Sequence, residues 1–250
     1  MHTAALSELG LADAWSYEAI ALDTDEFQPR VQAMPDEGFV GANVTVPYKE
    51  KALKLSDASS GTASEIGAAN TLSFVDGEIH ADNTDAQGLL DALPDSPRGK
   101  RVVVLGAGGA AHAVVWALLQ EDAEVDVWNR TPNKAKILCE KLGGHPVETI
   151  EPPSYDILIN SAALWLHGGE NAFFSLPFSA SQLEARQTVV DLDYGALPSP
   201  LVVAAQEVGA SIVDGLEILV RQGARSLKIW TGLEPPLDVM RRAVEKGPSR

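Results

Sequence analysis

Residues 101–111, RVVVLGAGGAA, decide the fold of this 250-residue chain. The run 101–105 is short and rich in β-branched side chains, which suits a parallel strand buried on both faces. The turn that follows is a G-x-G-x-x-A fingerprint at Gly106, Gly108 and Ala111. The first glycine permits a tight turn, the second lets the backbone approach a pyrophosphate, and the alanine permits close packing of helix on strand. A helix expected from this turn to about Gln120 presents free N–H groups to an anion. Such a fingerprint is informative only between a strand and a helix, and both are expected here. The sequence therefore predicts a nucleotide-binding turn made by Gly106, Ala107, Gly108, Gly109 and Ala110.

Further strands are expected downstream at 123–128, 155–160, 188–193 and 211–214, with a helix at 198–208. Strands alternating with helices imply an α/β fold with a parallel, Rossmann-type sheet covered on both faces. After Gly215, apolar Leu216, Leu219, Val220 and Leu227 recur with Gly223 at helical spacing, so one long amphipathic helix is expected, then a last helix at 237–246. Upstream, residues 3–9 read as a helix and residues 15–22 and 38–46 as strands, with a helix starting after Pro47. Residues 70–82 read as a hairpin turning at Asp76-Gly77, two residue types that tolerate positive φ. The polar stretch 94–100, PDSPRGK, is the candidate linker.

The second strand of the Rossmann half selects the cofactor. An NAD site carries Asp or Glu about 20 residues past the glycine turn, to hold the ribose 2′-hydroxyl. Asn129-Arg130-Thr131 stand there instead, with Lys134 a helical turn further on. A guanidinium, an ammonium and a hydroxyl suit a 2′-phosphate, so NADP is expected.

Composition narrows the partners. Nineteen Lys and Arg against 35 Asp and Glu leave a net charge of −16. Such a surface repels phosphate backbones, and no nucleic-acid partner is expected. The single cysteine, Cys139, excludes a disulfide framework and a cysteine metal cluster. His2, His80, His112, His145 and His167 show no metal-ligand spacing, and no metal is expected. No run of 18 apolar residues is present to span a membrane. Residues 1–15 lack the basic start and apolar stretch of a signal peptide, so a reduced, cytoplasmic setting is expected.

The first half carries polar, turn-forming segments: 43–49 (NVTVPYK), 67–71 (GAANT) and 82–88 (DNTDAQG). A lysine, an amide and a carboxylate from these segments suit a polyhydroxylated substrate, and a lysine beside a carboxylate suits acid–base work. Spacing alone does not bring Lys49 and Asp85 together; two solvated side chains remain the alternative.

These segments, followed in order by 104–111 (VLGAGGAA), 128–131 (WNRT) and 215–232 (GLEILVRQGARSLKIWTG), resemble the shikimate dehydrogenases over nearly the whole chain. The resemblance implies NADP-dependent, reversible reduction of 3-dehydroshikimate to shikimate. It implies a Rossmann-type NADP domain at 91–215, a smaller discontinuous substrate domain at 1–90 and 216–250, and an active site in the cleft between them, in a monomer or homodimer. Carried over by motif, Lys49 and Asp85 are the catalytic pair. Thr45, Asn70, Asp85, Tyr194 and Gln222 contact substrate. Asn129, Arg130, Thr131 and Lys134 hold the 2′-phosphate, and Gly215 lies near the nicotinamide. The family pattern also has an opening strand and a segment HSxSPxxHN whose serines hold the substrate carboxylate. This sequence starts at Met1-His2-Thr3, past that segment, so firm NADP binding and weak shikimate binding are expected. A quinate/shikimate-type paralogue and a catalytically impaired NADP-binding homologue are the alternatives.

Overall fold

The computed structural model describes residues 1–162, 176–193 and 198–246, within which the chain forms two compact units. The first holds Met1–Gly88 and the chain from Leu219 onward. Its elements are α1 (His2–Glu8), α2 (Phe27–Ala33), β1 (Gly41–Asn43), α3 (Lys49–Leu55), β2 (Ala58–Ser59), α4 (Gly61–Ile66), β3 (Thr71–Val75) and β4 (Glu78–Asp82). The sheet order is β1-β3-β4-β2, with β1/β3 and β3/β4 antiparallel and β2/β4 parallel. The β3–β4 hairpin turns at Asp76 and Gly77, with φ of 52° and 84°, as expected for that pair. Leu72, Ile79 and Ala81 of the hairpin bury against Phe27, Val31, Ala52 and Ala63.

Two strands expected in this half are corrected. Residues 15–22 form no strand. Among the described residues no backbone–backbone hydrogen bond engages residues 16–22, which run beside a cavity of about 830 Å³ that β1 also lines. Alternating side chains make no strand without a ladder partner. Of residues 38–46 only Gly41–Asn43 are strand, because the chain turns with Tyr48 N–H bonded to the Thr45 carbonyl (3.0 Å) ahead of α3.

The second unit is Leu89–Ile218. The boundaries fall inside α5 (Asp85–Ala92) and inside the long helix after residue 214. The stretch 94–100 is a loop within this unit, where Gly99 N–H bonds the Asp122 carbonyl (3.0 Å). The unit continues with β5 (Arg101–Leu105), α6 (Gly109–Gln120), β6 (Glu124–Trp128), α7 (Pro132–Leu142), β7 (His145–Val147), β8 (Ile157–Asn160), β9 (Thr188–Asp191), α8 (Pro200–Val208) and β10 (Ser211–Val213). These strands form a six-stranded, wholly parallel sheet in the order β10-β9-β8-β5-β6-β7. The period-2 pleat divides β5 between two cores. Val102 and Val104 pack with Val114, Leu118 and Leu138 of α6 and α7, while Val103 and Leu105 pack with Leu158, Leu201 and Ala205. Strand order reverses at β5, so the C-terminal end of β5 is the topological switch point where open α/β sheets hold ligands. The glycine turn sits there.

The long helix is α9 (Gly215–Thr231), and α10 (Leu237–Glu245) follows it. In the first unit, Val220, Ala224 and Leu227 of α9 pack with Ala5 and Leu6 of α1 and with Met240 of α10. Among the described residues no helix is long and apolar enough to cross a membrane.

Candidate functional site

The first unit gathers its polar residues at two helix starts. Lys49 opens α3 and Asp85 opens α5. Lys49 Nζ donates to Asp85 Oδ2 at 2.7 Å, with side chains 15% and 21% exposed. That exposure leaves the pair reachable by solute yet partly shielded from water. Asp85 is held from its own backbone, since Asn83 Oδ1 accepts from the Asp85 N–H at 3.1 Å while Asn83 Nδ2 donates to the Ala68 carbonyl at 2.9 Å. A carboxylate at a helix N-terminus is also favoured by the dipole.

Asn70 lies just before β3 and is 2% exposed. The Thr84 backbone N–H donates to Asn70 Oδ1 at 2.7 Å. Only an acceptor can face that N–H, so the orientation of the amide is fixed by the network. Its Nδ2 then faces Asp85 Oδ1 (2.9 Å), Thr84 Oγ1 (3.0 Å) and Gln222 Oε1 (3.1 Å). Gln222, on α9, is anchored in turn by donating from Nε2 to the Leu219 carbonyl at 2.9 Å. Lys49, Asn70, Asp85 and Gln222, far apart in sequence, thus form one connected cluster. Thr45 does not join it; it is exposed on the turn before α3 and lines the cavity beside β1. Tyr194 lies outside the described residues.

The second unit carries the other predicted group. Gly106 has φ 116°, and a Cβ there would lie 2.8 Å from Ser161 Oγ, so the turn needs glycine. Among the described residues a Cβ at Gly108 or Gly109 would meet nothing within 4 Å, so the backbone there is open to a ligand. Helix α6 starts at Gly109 with no side-chain cap, so among the described residues its first N–H groups are left to a ligand. Trp128 at the end of β6 accepts from the Gly106 N–H at 2.8 Å, tying the turn to the 129–131 segment. Asn129 Nδ2 donates to the Thr131 carbonyl at 2.9 Å, shaping the entry to α7. Arg130, Thr131 and Lys134 are exposed. Arg130 and Lys134 form no ion pair with the described residues. No carboxylate occupies 129–131, so the donor set fits a phosphorylated ribose. Gly215 opens α9 against the Asp193 carbonyl, where a Cβ would approach to 2.4 Å. At the ends of β8 and β9, buried Asp191 accepts from Asn160 Nδ2 (2.8 Å) and from the Ser199 hydroxyl, joining three segments of this unit. Among the described residues no group of three or more His, Cys, Asp or Glu can hold a metal ion.

Profile matches agree with this arrangement. Residues 1–72 match the shikimate dehydrogenase substrate binding domain, residues 89–166 the shikimate/quinate 5-dehydrogenase profile, and residues 215–245 the shikimate 5′-dehydrogenase C-terminal domain. A curated shikimate dehydrogenase (NADP(+)) of Methanothermobacter thermautotrophicus is 36% identical over 260 residues, spanning 98% of this chain and 90% of that protein. The chain belongs to the shikimate dehydrogenase family. A second member, the shikimate dehydrogenase (NADP(+)) of Ignicoccus hospitalis, is 41% identical over 204 residues, 79% of this chain and 75% of that protein. The crystal structure of the Thermus thermophilus enzyme in complex with NADP(H) and shikimate superposes with a TM-score of 0.89 at 35% identity, covering 98% of this chain and 92% of that one. The family resemblance read from the motifs is thus borne out.

Several residues of the cluster were not singled out by sequence reasoning. Thr84 sits inside the quoted 82–88 segment; its backbone N–H and its hydroxyl both bond Asn70. Ser226 lies one helical turn beyond Gln222 and is fully buried; that spacing was available in the sequence. Gly88 shows its role only in the packing of α5 on α9.

Proposed function

We propose that this chain catalyses NADP-dependent, reversible reduction of 3-dehydroshikimate to shikimate, with substrate held by the first unit and NADP by the second. The observation that carries the reading is the 2.7 Å Lys49–Asp85 pair backed by Asn70 and Gln222, in a family member whose Thermus thermophilus relative was solved with NADP(H) and shikimate. Bound NADPH supplies a hydride to a carbonyl carbon, and NADP⁺ accepts one in reverse.

The residues of the chain supply the rest. The Lys49 ammonium donates its proton to the C3 carbonyl oxygen as that carbon is reduced, giving the alcohol and a neutral amine; water returns the proton to Lys49. In the oxidative direction the amine takes the proton from the hydroxyl. Asp85 Oδ2 keeps the amine aimed, and its Oδ1 is oriented by Asn70. Asn70, Gln222, Asp85 and Thr45 are assigned to substrate hydroxyls, and Tyr194 to the substrate as well. Gly106, Ala107, Gly108, Gly109 and Ala110 would hold the pyrophosphate. Asn129, Arg130, Thr131 and Lys134 would hold the 2′-phosphate, and Gly215 would flank the nicotinamide.

The test is NADP⁺ reduction followed at about 340 nm with shikimate as substrate. Turnover that needs Lys49 supports the assignment. NADP binding without turnover of either shikimate or 3-dehydroshikimate overturns it. The profile over 89–166 includes quinate enzymes, so quinate belongs in the same assay.

A further inference from the structure

Behind Asn70 lies a set of buried hydroxyls that the proposed chemistry does not use. Thr71 and Ser226 are both 0% exposed and Thr84 is 4% exposed. Valine or alanine would fill such sites without any polar group to satisfy, so the hydroxyls imply a polar task. Their bonds have a direction. Tyr17 Oη donates to Asn43 Oδ1 at 2.9 Å, which leaves Asn43 Nδ2 to donate to Ser226 Oγ at 2.8 Å. Ser226, having accepted, has one hydrogen to pass on. Thr71 Oγ1 lies 2.8 Å away, nearer than the Gln222 carbonyl at 3.2 Å. Thr71 passes its hydrogen to Asn70 Oδ1 at 3.1 Å. Thr84 Oγ1 closes the group at 3.2 Å from both Thr71 and Ser226, and it too donates to Asn70 Oδ1 at 3.2 Å. The chain of donors runs one way, from β1 through α9 to β3, and ends on the acceptor side of the amide whose donor side faces Asp85.

We propose that Ser226 and Thr71 are positioning residues: their hydroxyls form a one-way relay that locks the Asn70 amide with its N–H face toward Asp85 and Gln222. The inference deepens the substrate site just assigned and rests on that reading for its kinetic consequence. With the relay cut, the Thr84 N–H still marks the acceptor end of Asn70, so the amide is kept but loosened. Asp85 and Gln222 then lose a fixed partner, and the site slackens where substrate hydroxyls bind. The consequence belongs to shikimate and not to NADP, whose assigned residues lie in the other unit.

Two readouts test this. In a ¹H–¹⁵N spectrum of side-chain amides, the Asn70 pair is identified by its loss in Asn70→Asp. Thr71→Val and Ser226→Ala should shift that pair, and Thr71→Ser, which restores the hydroxyl, should leave it near its wild-type position. In steady-state kinetics Thr71→Val should lower kcat/KM for shikimate roughly 10- to 100-fold. KM for NADP should stay within about twofold, and Thr71→Ser should recover the shikimate activity. Asn70 signals unmoved in both Thr71→Val and Ser226→Ala overturn the relay, as does shikimate kcat/KM unchanged in both folded variants. Ser226→Ala decides alone if Thr71→Val does not fold. Should the wild-type chain not turn over shikimate, the functional reading fails, and the spectrum still decides the relay.

Discussion

Replacing Gly88 by alanine should disable the substrate site while leaving the protein folded. Gly88 lies one turn after Asp85 on α5 and faces α9 at Gln222. A Cβ at Gly88 would lie 2.8 Å from Gln222 Cβ, 2.8 Å from its backbone N and 2.9 Å from its Cα. Ordinary carbon–carbon contact is about 3.5–4.0 Å, so the two helices must part by about 1 Å at this point. Two of the three atoms are backbone, so no side-chain rotation relieves the clash. The Asn70–Gln222 hydrogen bond of 3.1 Å would stretch past hydrogen-bonding range. Overpacking of this kind costs about 1–3 kcal/mol, and the higher helix propensity of alanine offsets about 1 kcal/mol of it. The net loss is then at most about 2 kcal/mol. A misplacement of about 1 Å at a reacting site, by contrast, costs on the order of 100-fold in rate. Urea unfolding and initial rates of NADP⁺ reduction with varied shikimate measure the two effects separately. A Gly88→Ala protein whose kcat/KM for shikimate stays within about twofold of wild type would refute the claim that α5–α9 contact sets the site.

Three further outcomes follow from named contacts. Lys49→Met should reduce kcat by roughly 10²- to 10⁴-fold, the usual worth of a positioned acid–base group, with NADP affinity measured by fluorescence titration unchanged; a loss below tenfold would remove Lys49 from the proton step. Arg130→Ala should raise KM for NADP roughly tenfold and narrow its advantage over NAD; equal loss of NAD and NADP activity would place the 2′-phosphate elsewhere. Burial lowers the His2 imidazole from its usual 6.5 to about 4, against the upward pull of the Gly223 carbonyl it bonds at 3.2 Å. The unfolded chain takes up this proton before the folded one does. The stabilisation is therefore complete above pH 6.5 and declines as pH falls toward 4, by roughly 3 kcal/mol in all. Urea midpoints between pH 7 and 4.5 should fall more steeply for wild type than for His2→Phe, and parallel curves would contradict the assignment.

What the sequence revealed and what it hid divide along a physical line. The Rossmann half was legible because its signals are local. The apolar run 102–105 is strand with both faces buried, the glycine turn lies between strand and helix, and Asp76-Gly77 supports a hairpin through its own φ preferences. The segment 15–22 misled for the opposite reason. Its residues suit a strand, but strand formation is a pairing event, and the backbone beside them makes no ladder with it. The same limit applies to the cluster around Lys49. The motifs named Lys49, Asn70, Asp85 and Gln222 through resemblance, yet Asn70 and Gln222 stand 152 positions apart, and no periodicity reports a contact at that separation. Strand β7 escaped because Pro146 sits within its three residues, which is tolerated only at the edge position that β7 occupies.

One local conflict was nonetheless readable. The sequence placed a helix after Pro47, and so placed Lys49 in its first turn. An ammonium there opposes the helix dipole; Glu50 in the same turn offsets part of that, but no side chain caps the helix. Asp85, at the start of α5, agrees with its own dipole. The structure resolves the conflict by bringing the two helix starts together, so that the unfavourable charge of one lies 2.7 Å from the favourable charge of the other. Residues that break a local rule are the ones to suspect of function. A lysine chosen for stability would sit at the far end of α3, where Lys54 does. That Lys49 stands at the wrong end, and that two buried side chains, Asn70 and Asn83, are spent on orienting its partner, argues that this pair is kept for chemistry and not for the fold.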